Sequence, residues 1–281
     1  MSYRDLVVVL DSAADTPGRI ALAAALAERF AAHLIGLYPI PNIELPIRAG
    51  YPDLAVLEPV YREWRERALK QAGELRQAFE HAARLHGLST EWRAVAEGEE
   101  ADPALHARYS DLTILGQRDP DSDEMALIRP RPERVTLASG RPILVVPYAG
   151  HFEVIGKCVL VAWDASREAA RAVADAMPLL AAADAVTVLA VDPHPGPDGH
   201  GEVPGADIAL HLARHDVKAQ IERTVSAGVP IGELVFSRAA DLGADLLVMG
   251  ANGHSRVREL LLGGATRSIL ASMTIPVLMS H

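Results

Sequence analysis

Ala244-Asp245-Leu246-Leu247-Val248-Met249-Gly250 is a short apolar run with Asp at its second position and Gly at its end. The run Ser110-Asp111-Leu112-Thr113-Ile114-Leu115-Gly116, 134 positions earlier, has the same form. The spacing holds further along, where Pro142-Ile143-Leu144-Val145 and Pro276-Val277-Leu278-Met279 are again 134 apart. Unbroken apolar runs of this length mark strands buried on both faces of a parallel sheet. Two more such runs, Arg4–Asp11 (RDLVVVLD) and Lys157–Asp164 (KCVLVAWD), each end in Asp and each precede a helical pattern. In the first pattern Thr16-Pro17 signals a helix start, and Ile20, Ala23, Ala27 and Phe30 keep helical spacing. In the second, Ser166 is placed to cap a helix carrying Val173, Met177 and Leu180. Apolar runs follow again at Leu34–Tyr38 and Ala185–Val191. The same order met twice predicts an α/β protein of two tandem doubly wound parallel-sheet domains. Their expected extents are 1–150 and 151–281, joined near Ala149-Gly150-His151 and wound by right-handed crossovers.

Composition agrees and excludes several classes. The chain has 281 residues, half of them apolar, which suits two cores rather than a disordered segment. Aromatic residues make up only 5%, so small interdigitating side chains are expected to pack helices on sheets. The balance of 27 Lys and Arg against 37 Asp and Glu, a formal charge of −10, argues against general nucleic-acid binding. The lone Cys158 excludes an intrachain disulfide and any zinc site built on two or more cysteines. The opening MSYRDLVVVLD has no basic region or cleavage site of a signal peptide, and no apolar stretch is long enough to span a membrane. A cytoplasmic location is the expectation. The halves differ in their connections: Pro39–Pro59 carries five prolines ahead of a long helix near Val60–Leu85. Asp192–Gly205 holds four Pro and four Gly and reads as a tolerated surface insertion, with a lid as the alternative.

The segment from Gly250 to Thr266 carries the chemistry. It starts at the end of a strand and leads into a helix near Thr266–Ser272. Gly250 and Gly253 allow close backbone approach, and Gly263-Gly264 fall at a helix start, where free N–H groups and the dipole favour an anion. Asn252, His254, Ser255, Arg256 and Arg258 add donors and positive charge. Together these predict a phosphate cradle at the C-terminal edge of a parallel sheet; a glycine-rich turn before a capped helix is the bland alternative. With Gly250, two residues, Gly253, nine residues and then Gly263, the run resembles the G-x2-G-x9-G-[S/T] motif of the universal stress protein family. The strand ending at Asp164, the segment 243–250 and the terminal strand from Ile275 to Met279 are also similar to that family, and the resemblance extends over nearly all of both halves. It implies a Rossmann-like fold, and ATP with Mg as cofactor of the second half. Asp164 and Val191 would then hold adenosine, and Gly250, Gly253, Gly263 and Gly264 the ribose and phosphates, with Asn252 beside them. One position departs from the motif: Gly264 stands where the family has Ser or Thr, and Thr266 is the nearest hydroxyl. The resemblance further implies pairing through last strands, here Ile143–Val146 with Val277–Met279 inside one chain.

The first half has lost the motif. Asp119 stands at the position of Gly253, and Arg129-Pro130 at that of Gly263-Gly264. Asp119, Asp121, Asp123 and Glu124 would repel a triphosphate, and Pro130 lacks an N–H donor. Asp119-Pro-Asp121-Ser-Asp123 also lacks the Gly and terminal Glu of a calcium loop. His211 and His215, with His194 or His200, form no recognised metal signature and read as surface histidines. Cys158 reads as a buried, inert thiol. P-loop, dinucleotide and nucleophile-elbow signatures are absent from the sequence, and no base stands beside a nucleophile, so slow nucleotide hydrolysis is the most chemistry expected. The leading expectation is a stress-response protein that binds ATP or another adenine nucleotide and acts by regulation, with homo-oligomers possible. The alternative is a nucleotide-free interaction module built as an intrachain pseudo-dimer, and a true ATP-dependent enzyme is a distant third.

Overall fold

The computed structural model describes residues 2–40, 54–96, 102–119, 131–193, 203, 205–251 and 264–281. The first half of the chain gives β1 (Asp5–Val9), α1 (Thr16–Phe30), β2 (His33–Ile40), α2 (Leu54–Leu85), β3 (Thr90–Ala96), α3 (Pro103–Ala107), β4 (Leu112–Gly116), α4 (Pro132–Ser139) and β5 (Ile143–Val146). The second half gives β6 (Cys158–Ala162), α5 (Arg167–Leu180), β7 (Ala185–Val191), α6 (Ala206–Ala213), β8 (Ala219–Thr224), α7 (Ile231–Leu242), β9 (Leu246–Gly250), α8 (Gly264–Ser272) and β10 (Val277–Ser280). The long helix begins at Leu54, earlier than its apolar spacing indicates. Pro59 lies inside it and forgoes one ladder bond.

The ten strands among the described residues form one sheet, in the order β3-β2-β1-β4-β5-β10-β9-β6-β7-β8. Each half is wound identically, its first strand at the centre and its last at the seam. Pairing is parallel within each half and antiparallel between β5 and β10, where Val277 faces Val145, Leu278 faces Leu144 and Met279 faces Ile143. The period of two along each strand sends alternate side chains to opposite faces. Leu6, Val8, Leu144, Val159 and Leu278 join the core under α1, α2, α5 and α6, while Val7, Val9, Val145, Leu160 and Val277 join the core under α3, α4, α7 and α8. Both cores run across the seam without a break. Each fully buried Val or Leu contributes about 1.5–3 kcal/mol, which is why the central strands are uninterrupted apolar runs.

The Asp at the head of the repeated motif has a mechanical task. Asp111 Oδ2 accepts from the backbone N–H of Arg4 at 2.6 Å and of Asp5 at 3.2 Å, at the entrance to β1. Asp245 Oδ1 does the same for β6, accepting from Gly156 at 2.8 Å and Cys158 at 3.2 Å. In both halves one carboxylate staples the first strand to the fourth before the ladder begins.

Side chains of the first half also reach across the seam. Arg29 donates through Nη1 to the Ile155 carbonyl at 2.8 Å and through Nη2 to the Ala182 carbonyl at 3.2 Å. The Tyr3 hydroxyl donates to the Asp175 carbonyl at 2.8 Å, its ring set edge-on against Phe30. No helix among the described residues is long and apolar enough to cross a membrane.

Candidate functional site

In an open parallel sheet a ligand crevice forms past the C-terminal strand ends, where the winding reverses. Here that place lies between β1 and β4 in the first half and between β6 and β9 in the second. Ala162 pairs with Leu189 on one side and Met249 on the other. Asp164, Val191 and Gly250, each one or two residues further on, therefore share one edge of the sheet.

Asp164 is exposed, and its Oδ1 accepts from the Ser166 N–H at 3.0 Å. This local turn, with Ala165 at φ 60°, brings Ser166 into the cap position of α5, where its Oγ accepts from the Ala169 N–H at 3.0 Å. The cap is the one that the residue order predicts. Val191 ends β7, and the chain turns there through Asp192 at φ 48°. The Asp192 N–H donates to the Thr224 carbonyl at 2.9 Å, while its Oδ1 accepts from the Ser226 N–H at 2.9 Å. Beside this turn Asp192, Pro193, Arg223, Thr224 and Val225 line an open cavity of about 360 Å³.

Gly250 is tightly packed, and its neighbour is protein. A Cβ added there would lie 2.5 Å from the Ala169 nitrogen and 2.7 Å from the Glu168 carbonyl carbon. The first turn of α5 thus rests on the end of β9, and only glycine leaves it room. Glu168, in that same turn, is buried and paired to Arg167 Nε at 2.6 Å; burial pushes its carboxyl up, but the bonds from Arg167 and from its own backbone N–H outweigh this and hold it below the ordinary range.

α8 begins at Gly264, and Thr266 in its first turn is 3% exposed. The position that has Ser or Thr in the family motif thus opens a helix, as the sequence indicates. Asn252, Gly253 and Gly263 lie outside the described residues, as do His254, Ser255, Arg256 and Arg258. The first-half substitutions from 121 to 130, and His194 and His200, lie outside them as well.

The crevice of the first half holds a residue that the sequence reading passed over. Arg19, in α1, is 1% exposed and lies with its guanidinium at the ends of β1 and β4. Nη1 donates to the Val9 carbonyl at 2.9 Å; Nη2 donates to Asp11 Oδ1 at 3.0 Å, Thr16 Oγ1 at 2.9 Å and Asp15 Oδ2 at 3.2 Å. Burial alone would disfavour this charge, but Asp11 and Asp15 more than offset it and keep the guanidinium firmly protonated. Gly116 makes the fit possible, because a Cβ there would meet Arg19 Cζ at 2.7 Å. Asp11, at the position of Asp164, is therefore committed to an internal cation. The visible signal was Asp15 four residues before Arg19, a helical ion-pair spacing.

The His211 and His215 rings lie 4.9 Å apart, and no group of three or more metal-ligating side chains occurs among the described residues. Cys158 is half-buried; burial, with Asp245 and Asp184 nearby, pushes its thiol up, away from the reactive thiolate. On the far side of the second half, a cavity of about 590 Å³ opens between β8 and α7. Its wall includes a forked ion pair, Arg238 to Glu222, at 2.6 and 2.7 Å.

Comparison with known proteins places this geometry. The family model described as Universal stress protein family matches residues 157–281. A universal stress protein of Synechocystis sp. is 30% identical over 171 residues, 60% of this chain and 57% of that protein. A universal stress protein of Methanocaldococcus jannaschii is 33% identical over 63 residues, 22% of this chain and 38% of that protein. The chain thus spans about half the length of the curated relatives it matches. The crystal structure of a universal stress protein from Archaeoglobus fulgidus superposes with a TM-score of 0.71 at 17% identity. The superposition covers 98% of this chain and 95% of that one, which shows a shared fold through both halves.

Proposed function

We propose that the chain is a tandem universal stress protein whose second half holds an adenine nucleotide, since residues 157–281 match the model of that family and the residues before them share the fold of a universal stress protein. The role is regulatory. The halves correspond to 1–150 and 151–281, and the β5–β10 seam serves as the pairing surface of a pseudo-dimer inside one chain. The observation that carries the nucleotide reading is the sharing of one sheet edge by Asp164, Val191 and Gly250 in the half that carries the glycine motif. In this reading Asp164 and the backbone at Val191 take the adenosine. The N–H groups that open α8 at Gly264 take phosphate, with Gly253, Gly263 and Asn252 completing the cradle. Thr266 stands behind Gly264 in the first turn. Mg would enter with the triphosphate.

One observation favours the rival, a nucleotide-free interaction module. The glycine at 250 is fully accounted for by the approach of α5, so that residue by itself does not require a ligand. Titration calorimetry of the full chain with Mg-ATP separates the two. Saturable heat at one nucleotide per chain supports the first reading, and silence at millimolar ligand, with no thermal shift, establishes the second.

A further inference from the structure

Gln117 follows directly on β4 of the first half, yet its side chain ends in the second. It is 6% exposed. Its Nε2 donates to the Leu270 carbonyl at 2.8 Å and to the Ala271 carbonyl at 3.5 Å, while its Oε1 accepts from the Tyr148 N–H at 3.2 Å. Leu270 and Ala271 lie in the last turn of α8, whose carbonyls have no partner within the helix. One amide from the first half therefore closes the C-terminus of a helix in the second.

The contact is one-sided. The position 134 residues on is Ala251, fully buried, with only a methyl group to offer. At the corresponding end of α4, the Ala138 carbonyl is served from within the first half by Arg108 Nη2 at 3.2 Å. The bridge from Gln117 to α8 thus has no counterpart at the equivalent position of the second half.

We propose that Gln117 is a positioning residue through which the first half sets the phosphate affinity of the second; the proposal rests on the nucleotide reading above. A helix of nine residues is a rod of about 13 Å, so a hold on its last carbonyls fixes where its first N–H groups stand. Those N–H groups, from Gly264 onward, are the phosphate-facing end in that reading. The backbone of Gln117 is itself anchored, its N–H donating to the Val146 carbonyl at 2.7 Å. Arg19, wedged against the adjoining Gly116, stiffens the same strand end.

The test compares Mg-ATP with adenosine on the full chain, for the wild type and Gln117→Met. Methionine keeps the volume and removes both the donor and the acceptor. Loss of the clamp lowers ATP affinity by about tenfold, the worth of one or two hydrogen bonds, and leaves adenosine affinity unchanged. Gln117→Asn, one methylene too short to reach, gives the same pattern if the methionine variant does not fold. Affinities for ATP and adenosine that fall together, or that both stay constant, overturn the role of Gln117. Wild-type chain that binds neither ligand overturns the nucleotide reading itself, an outcome visible before any variant is made.

Discussion

Arg19 and Gly116 fit so closely that a single added methyl on the glycine would stand 2.7 Å from the guanidinium carbon. The arginine occupies the place where the winding of the first half would otherwise open a crevice. Replacing it with methionine keeps the bulk and removes the cation that faces Asp11 and Asp15, whose side chains are only 16% and 11% exposed. Breaking a buried pair in this way costs about 3–5 kcal/mol. Urea unfolding of Arg19→Met measures it, and a loss below about 1 kcal/mol would mean that the carboxylates find other partners.

Occupation of that crevice also fixes the stoichiometry. Nucleotide is expected to saturate at one per chain, with Asp164→Ala weakening it and Asp11→Ala leaving it unaffected. Equilibrium dialysis that counts two nucleotides per chain would contradict the closure of the first half.

Gly116 and Gly250 hold the same place in the repeat but face different neighbours. Gly116 meets the end of a side chain, and Gly250 meets backbone nitrogen and carbonyl carbon at 2.5 and 2.7 Å. A side chain can swing aside; a helix turn cannot. Gly116→Ala should cost about 1–3 kcal/mol, and Gly250→Ala more. Denaturation midpoints that ranked the two in the opposite order would refute this.

Asp245 is a staple made of backbone acceptor bonds. Asp245→Ala leaves the N–H groups of Gly156, Lys157 and Cys158 without this acceptor, at a cost of about 1–3 kcal/mol. Asp245→Asn, with one oxygen remaining, should recover part of it. Equal losses in the two variants would point to charge, rather than acceptor geometry, as the operative property.

The forked pair beside the 590 Å³ cavity gives stability a pH dependence. Hydrogen bonds from Arg238 hold the Glu222 carboxyl below its ordinary 4.5. A carboxylate with a lowered folded-state pKa stabilises the protein above its unfolded pKa and loses that contribution as pH falls through the folded one. The melting temperature of Glu222→Gln should therefore lie slightly below the wild type at pH 7 and converge with it in acid. A gap that persisted at pH 3 would show that the pair acts through packing.

Signals local to a few residues were legible from sequence. The apolar runs gave the strands, Ser166 gave the start of α5, and the recurrence of Asp111 at Asp245 gave the repeat, because each depends on neighbours in the chain or on simple periodicity. Arg19 was missed because an arginine in a first helical turn normally lies in water; only the fold brings Val9, Asp11 and Gly116 around it. Gln117 was invisible for the same reason, its partner being more than 150 residues away. Gly250 was legible as a glycine that something must approach, but the approaching group is helix α5. Asp164 and Val191, which the family resemblance implied, lie at one sheet edge, whereas Asn252, Gly253 and Gly263 fall outside the described residues.

The seam between β5 and β10 carries an evolutionary consequence. When two identical subunits meet across a two-fold axis, each substitution is written twice and must suit both sites. Here the two sides of the seam are separate stretches of one chain, so each is mutable alone. An arginine can fill one strand end while helix backbone packs against the other. A glutamine can cross in one direction and leave only an alanine on the return path. Two halves held in one chain can thus diverge side by side, a freedom that a symmetric pair has no means to inherit.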